Sequence, residues 1–168
     1  MKPNDADIFY YACAISQRRR TSLGHFNSTS CGVRPLALRG DYVAAFDNSC
    51  LGPGPTRGIL TVRDVPARRA WRIQEEYVEL TGLEITAAGT AVWIRRGSDC
   101  TEPEPRCGPR VEVRVAERGR PARTLDSGDI DPSSLGLTNQ TLEPVRDRRG
   151  PVRVVWISGG QPRSTVIR

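Results

Sequence analysis

The residues best suited to chemistry in this chain are glutamates that stand close together in the sequence. Two carboxyl groups can serve as acid and base in the cleavage of a glycosidic bond. Glu75 with Glu76, and Glu102 with Glu104, are pairs of this kind. Adjacent glutamates, and glutamates in a proline-rich loop, are usually solvated. The pairs therefore raise the hypothesis of a hydrolase without defining its site.

A second acidic group consists of Asp126, Asp129 and Asp131 in the segment Asp-Ser-Gly-Asp-Ile-Asp. Carboxylate oxygens at this spacing are the kind of ligand that Ca²⁺ prefers, but the segment lacks the residue order of a calcium-binding loop. A polar connection between two structural repeats explains the segment as well. We therefore assign no metal ion and no cofactor to it.

Nucleophilic and zinc-dependent chemistry would both have to use His25, the only histidine in the chain. A Ser-His-Asp triad has no other imidazole available. A zinc site would have to combine His25 with cysteines that lack a Cys-x-x-Cys spacing. The sequence also contains no glycine-rich phosphate loop and no Gly-x-Ser-x-Gly motif. No catalytic, cofactor-binding or metal-binding residue is assigned.

The five cysteines indicate disulfide bonds rather than a metal site. Cys100 and Cys107 bracket a proline-rich loop, and a bond between them would hold the flanking strands in register. Cys50 occupies the matching position one repeat earlier, and its expected partner is Cys31. Cys13 is left as a free thiol, which we expect to be buried in its apolar strand. Two disulfides predict an oxidising compartment.

The amino-terminal segment does not have the pattern of a signal peptide, because Lys2 is followed by proline and acids. No apolar stretch approaches the roughly twenty residues that span a bilayer. The protein is then either cytoplasmic or an exported protein without its leader. The cysteines favour the second interpretation, with an extracellular or periplasmic location.

Composition argues against a nucleic-acid partner despite a formal charge of +6. Lys2 is the only lysine, and the arginines are scattered along the whole chain. The densest run, 18–20, is expected to be a solvated turn. With three Trp, four Tyr and three Phe, the chain has no basic stripe interleaved with aromatics, which single-stranded nucleic acid requires.

The elements that must position any site are short β-strands, because apolar residues alternate along most of the chain. Strands are expected at 7–15, 21–23, 35–39, 42–47, 58–64, 70–73, 83–86, 90–95, 110–116, 122–125, 133–137, 152–157 and 165–167. Strand 7–15 is apolar on both faces, which predicts burial on both. The segment 24–31 is expected to be a loop. Segment 70–80 also fits a helix, because Ile73, Tyr77 and Leu80 share a helical face, but two short strands are preferred.

A repeated phrase organises these strands into units of about fifty residues. One copy opens with Leu36 and Leu38 and turns at Gly40-Asp41, where the glycine of an Arg-Gly-Asp tripeptide serves a tight hairpin. The next copy opens with Leu83 and Ile85. The phrases Gly89-Thr90-Ala91-Val92-Trp93 and Val62-Arg63-Asp64 resemble the repeats of TolB-like or WD-repeat-like β-propellers of exported bacterial proteins.

This resemblance, which covers most of 35–168, implies stacked antiparallel meanders, with about three and a half to four propeller blades in one domain, 1–168. A β-sandwich is the alternative fold. Two departures stand out: the His and Trp-Asp signatures of WD repeats are absent, and most closed propellers contain more units. The three tryptophans, Trp71, Trp93 and Trp156, are expected to pack between blades.

Two functions are compatible with this interpretation. The first is a non-catalytic binding or scaffold module whose inter-blade loops contact a protein, a peptide or a glycan. The second is a glycosidase-like hydrolase with acidic residues at the propeller centre. The lack of a convergent nucleophile, base and metal set favours the first. Because an open stack leaves strand edges and an apolar face uncovered, self-association is also expected.

Overall fold

A computed structural model describes residues 8–15, 18–26, 33–49, 57–76, 79–98, 109–138 and 151–167. These residues form an all-β structure, as predicted, with consecutive antiparallel strands. The strands are β1 (Ile8–Ala14), β2 (Arg19–Phe26), β3 (Val33–Arg39), β4 (Tyr42–Ser49), β5 (Arg57–Asp64), β6 (Arg69–Glu76), β7 (Glu79–Ile85), β8 (Ala91–Ser98), β9 (Pro109–Ala116), β10 (Arg123–Gly128), β11 (Gly136–Thr138), β12 (Val152–Ser158) and β13 (Gln161–Ile167). The described part contains no helix with the length and hydrophobicity of a membrane span.

The strands form four sheets, each built from neighbours in the sequence. Sheet 1 is β1-β2, sheet 2 is β3-β4-β5-β6, sheet 3 is β7-β8-β9-β10 and sheet 4 is β11-β12-β13. The sheets follow the sequence repeats, including the incomplete first unit. Because no sheet combines strands from distant parts of the described chain, the interleaved strand order of a sandwich is not observed.

Successive sheets pack face to face around three apolar cores. The core between sheets 1 and 2 contains Ala12, Ala14, Leu23, Val43 and Val65. The core between sheets 2 and 3 contains Ala44, Phe46, Leu60, Val62, Leu83, Ile85, Ala91, Trp93 and Ala116. The core between sheets 3 and 4 contains Val92, Ile94, Val113, Val115, Ile130, Val154, Trp156 and Ile167. Neighbouring residues of β4 and β8 thus enter different cores, as the alternation of a strand requires.

The tryptophans lie where the sequence predicted them. Trp93 is fully buried between sheets 2 and 3, and Trp156 is buried between sheets 3 and 4. Trp71 is half-buried and packs against the same core as Trp93. Their large apolar area contributes to both of the interfaces that sheet 3 makes.

Tight turns connect the strands where glycines supply the backbone conformation. Gly40 has a φ of 56° and closes the β3–β4 hairpin, which confirms a turn role for the Arg-Gly-Asp tripeptide. The backbone N–H of Val65 donates to the carbonyl of Asp41 at 2.9 Å and so ties the β5–β6 turn to this hairpin. In the β7–β8 turn, the Thr86 hydroxyl accepts from the N–H groups of Ala88 and Thr90.

Two sequence expectations for the first unit are wrong. Strand β2 continues through residues 24–26, which were expected to be a loop, because a bulge opposite Tyr10 and Tyr11 uses the positive φ of Gly24 to keep the two strands paired. Strand β1 is buried on one face only. Tyr11 is 47% exposed and Ile15, directly after the strand, 89% exposed, because no other described sheet covers this face.

The described residues of 70–80 lie in two strands, β6 and β7, as preferred, and not in a helix. Its period of i, i+4 and i+7 arises by coincidence, since Ile73 packs from β6 and Leu80 from β7 against the same core. A bulge between Leu80 and Gly82 lets β7 begin at Glu79, ahead of the expected start at Leu83.

The contact between Tyr42 and Gly89 provides a test of how sheets 2 and 3 pack. A Cβ at Gly89 would lie 2.6 Å from Cε1 of Tyr42, whereas one at Gly119 would meet nothing within 4 Å. Both glycines have positive φ. We expect Gly119→Ala to lower the free energy of unfolding by about 1 to 2 kcal/mol through backbone strain. Gly89→Ala should lose about 1 to 3 kcal/mol more, because the ring must move.

Chemical denaturation of the two variants measures this difference. The variants share the backbone conformation and the added methyl group, so the excess loss isolates the contact with the tyrosine. Equal losses would show that Tyr42 does not pack on the β7–β8 turn.

Candidate functional site

The described residues contain a network of buried charges at the interface of sheets 2 and 3. Glu75 lies on β6, and its side chain is 1% exposed. Arg95 on β8 donates from Nη1 to Oε2 of Glu75 at 3.0 Å. Arg114 on β9 donates from Nη1 to both carboxylate oxygens, at 2.8 and 2.9 Å. The carboxylate of sheet 2 is therefore held by two guanidinium groups of sheet 3.

A second buried carboxylate, Glu112, extends the network along sheet 3. Arg95 donates from Nε to Oε2 of Glu112 at 2.5 Å, and Arg110 pairs with Oε1 through its Nε at 2.8 Å. The strand register explains this arrangement, because Arg95 lies directly opposite Glu112 in the β8–β9 ladder. Opposite residues share a face of the sheet, so both side chains point towards sheet 2.

Arg114 is further fixed by its neighbours. It donates from Nη2 to the carbonyl of Ala122 at 3.3 Å, and its guanidinium carbon lies 5.8 Å from the centre of the Trp93 ring. Trp93 is the register partner of Arg114 in β8. A cation at this distance from an indole face is attracted by the ring. The network therefore continues directly into the apolar core.

The network neutralises its carboxylates instead of exposing them. Burial disfavours the charged form of Arg95, but the hydrogen bond and charge of Glu112, together with those of Glu75, raise the pKa of Arg95 above its ordinary value. The guanidinium groups thus remain charged, and each buried carboxylate is paired as buried ions must be. This arrangement serves the packing of two sheets and leaves no carboxyl group open to a substrate.

Of the two glutamate pairs noted in the sequence, only Glu75 has a described side chain. Glu75 is buried in the network, while the side chain of Glu76, as well as Glu102 and Glu104, lies outside the described residues. Sequence reasoning did not select Glu112. The sequence feature that could have identified Glu112 is its position as a charged residue within the mostly apolar strand 111–115. Its side chain faces the same core as Trp93.

The three aspartates of the segment 126–131, which was weighed as a calcium site and not assigned as one, serve separate structural contacts. Asp126 accepts from Nε1 of Trp156 at 2.7 Å and so connects sheet 3 with sheet 4. Asp131 accepts from the backbone N–H and the hydroxyl of Ser133, and these hydrogen bonds lower its pKa. The carbonyl of Asp129 accepts from the N–H of Gly159 at 2.7 Å. Among the described residues, no group of three or more His, Cys, Asp or Glu side chains is placed to hold a metal ion.

The histidine and the cysteines are described only in part. His25 lies in β2, opposite Phe9, and not in a loop as expected. Cys13 is free, as predicted, but it is exposed and not buried, because it lies on the uncovered face of sheet 1. The expected disulfides Cys31–Cys50 and Cys100–Cys107 lie outside the described residues.

One carboxyl group has the properties of a candidate acid that sequence reasoning missed. Glu84 lies on β7, between the core residues Leu83 and Ile85 and on the opposite face of the strand. Burial raises the pKa of Glu84, while the charge of Arg39 on β3 opposes this change. A carboxyl group that keeps its proton to higher pH is suited to general acid catalysis.

A small hollow lies beneath the β9–β10 connection. It has a volume of about 260 Å³ and is lined by Val115, Glu117, Arg120, Pro121, Ala122 and Arg123. Arg120 pairs with Glu117 at 2.9 Å, and Arg123 is exposed at the rim. Small-molecule sites usually enclose about 300 to 1,000 Å³. The hollow therefore suits a single side chain better than a whole metabolite.

No protein-family model, curated protein or solved structure matches the chain.

We expect Glu75→Gln to lower the free energy of unfolding by about 3 to 5 kcal/mol, because the partly buried Arg114 loses its counter-charge and Arg95 keeps only that of Glu112. The control is Glu117→Gln, which removes the exposed pair with Arg120 and should cost less than about 1 kcal/mol. Urea denaturation of both variants measures the difference. Similar small losses would mean that the network does not hold the two sheets together.

Glu84 should make the stability of the protein depend on pH in a direction opposite to that of a salt-bridged acid. Because its pKa is raised in the folded state, the folded protein binds more protons than the unfolded chain. Stability is then lost as pH rises from the ordinary glutamate pKa, about 4.3, through the raised value. Glu84→Gln should remove this loss, so that the variant gains stability relative to the wild type as pH rises.

Denaturation midpoints measured across this pH range test the expectation, with Glu117→Gln as the exposed control. Parallel curves for Glu84→Gln and the wild type would contradict a raised pKa at Glu84.

Proposed function

We propose that this chain is a non-catalytic binding or scaffold module that uses the connections between its strands to contact an acidic peptide or protein segment. The observation that carries the proposal is the engagement of the buried carboxylates: Glu75 and Glu112 are held by arginines inside a sheet interface. Because these two side chains stabilise the stacking of the sheets, a hydrolase would need other carboxyl groups as its acid and base.

A propeller arrangement is part of the proposal. Its support is the order of the sheets, which are sequential meanders packed face to face. The opening strands of sheets 2 and 3, β3 and β7, also contact each other, as strands near the axis of a propeller do. An extracellular or periplasmic location rests on the cysteine content of the sequence and belongs to the same proposal.

The hollow beneath the β9–β10 connection is the proposed contact site. Its apolar floor, with Val115 and Ala122, would receive a small apolar side chain. The exposed Arg123 at its rim favours a partner that carries carboxylates, because complementary charges steer and orient an encounter. The excess of positive charge on the whole chain acts in the same direction.

A glycosidase-like hydrolase is the second candidate, and Glu84 is the observation that favours it. The residue lies on β7, which is near the axis if the sheets form a propeller, and burial raises its pKa. It would act as the acid on a glycosidic oxygen, with a second carboxyl group as base or nucleophile.

A peptide array with acidic, basic and neutral members distinguishes the two candidates. We expect binding to acidic peptides, and a loss of about tenfold in affinity for Arg123→Glu, because the rim charge is reversed. Arg163→Glu, on the exposed part of β13, makes the same charge change away from the hollow and should bind as the wild type does.

The hydrolase candidate predicts a different pattern. Turnover of a glycoside that is lost in Glu84→Gln and kept in Glu117→Gln, with no peptide bound by the wild type, would overturn the binding proposal. Equal weakening of peptide binding by Arg123→Glu and Arg163→Glu would reject the hollow as the contact site.

A further inference from the structure

The exposed hydrophobic side chains of the described residues concentrate on the two ends of the sheet stack. Five large hydrophobic residues are exposed: Tyr11 by 47%, Ile15 by 89%, Leu38 by 72%, Ile157 by 39% and Val166 by 51%. Tyr11 lies in sheet 1 and Ile15 directly follows β1, while Ile157 and Val166 lie in sheet 4. Soluble proteins rarely leave grouped apolar side chains uncovered unless the surface is used for binding.

The internal interfaces establish which face of a sheet meets which neighbour. In β4, Val43 packs towards sheet 1 and Ala44 towards sheet 3. In β8, Trp93 packs towards sheet 2 and Val92 towards sheet 4. Each inner sheet therefore has a preceding face and a following face, defined by the sheet that it contacts along the chain.

The end sheets each leave one of these faces free. In β1, Ala12 and Ala14 pack on sheet 2, so Tyr11 and Cys13, together with Ile15 directly after the strand, form a free preceding face. In β12, Val154 and Trp156 pack on sheet 3, so Val155 and Ile157 point the other way. Val166 of β13 joins them, because its register partner is Arg153 on the same outward face of β12. Sheet 4 thus presents a free following face.

We propose that these two faces are the halves of one interface, and that the free face of sheet 4 packs on the free face of sheet 1 in a second copy of this chain. A second copy is the expected partner, because its sheet 1 carries a free preceding face, and a preceding face is what the following face of each inner sheet already contacts within the chain. The contact continues the face-to-face packing that the chain already makes three times internally. It is heterologous, so it closes into a ring or extends as a row of copies.

The polar side chains of these faces are compatible with such packing. Arg20 lies over the Tyr11 ring, with its guanidinium carbon 4.5 Å from the ring centre, and Arg153 donates to the Ser164 hydroxyl at 3.1 Å. Both arginines are therefore already held by a neighbour on their own face. The outward positions of the described segments 11–15, 153–157 and 162–166 include no carboxylate that would have to be desolvated.

Light scattering of the purified chain, over concentrations up to about 1 mM, tests the proposal. We expect the wild type to assemble beyond the 18.5 kDa of one chain. Ile15→Asp and Val166→Asp each place a charge on one of the two faces, and each variant alone should be monomeric. Leu38→Asp is the matched control, because Leu38 lies on β3 opposite Val43, on neither end face, and it should assemble as the wild type does.

Mixing the two end-face variants tests the head-to-tail geometry. Ile15→Asp keeps an intact sheet 4 face and Val166→Asp an intact sheet 1 face, so an equimolar mixture should form a species of twice the chain mass. Circular dichroism of each variant establishes that it folds as Leu38→Asp does. A monomeric wild type, dissociation by Leu38→Asp, or a folded mixture that stays monomeric would each overturn the proposal. Peptide binding at the hollow is measured separately, so the two proposals can fail independently.

Discussion

Both faces of the inner sheets are apolar, and this requires a neighbouring sheet on each side. Antiparallel sheets commonly leave one face to solvent. In β8, however, Val92, Trp93 and Ile94 are all fully buried although they alternate between two faces. The same holds for Ala44 and Ala45 in β4. A chain made of such meanders can cover its sheets only by stacking them, and the order along the chain becomes the order in space.

Apolar packing supplies the stabilisation of the stack, but it has little directionality. The buried ion pairs determine how sheets 2 and 3 are aligned. The carboxylate of Glu75 can be buried only where Arg95 and Arg114 of the next sheet form salt bridges with it. A slip of β6 by one residue would turn Glu75 to the opposite face, which would leave Arg114 without its carboxylate and Arg95 with Glu112 alone. The ion network therefore selects one relative position of sheets 2 and 3 among many that would bury a similar apolar area.

Much of the fold follows from local sequence patterns, because alternation and turn residues act over a few positions. The hairpin at Gly40 and the division of 70–80 into two strands are examples. Alternation identifies the residues that share a face, but not what lies against that face. For this reason Cys13 was expected to be buried and is exposed. The partners of Glu75 lie 20 and 39 residues away, so no local pattern indicates them.

A stack of sheets is nearly one-dimensional, so each sheet is stabilised mainly by its immediate neighbours. Sheet 3 gains from two cores that contain Trp93 and Trp156, whereas sheet 1 has one core, in which Ala12, Ala14 and Leu23 are its buried residues. Small side chains bury less area and contribute less. Apolar packing therefore stabilises sheet 1 least of the sheets in the stack. Its other face is the one at which Tyr11 and Ile15 are exposed. Packing of sheet 4 from a second copy on that face would therefore stabilise the least stable end of the stack.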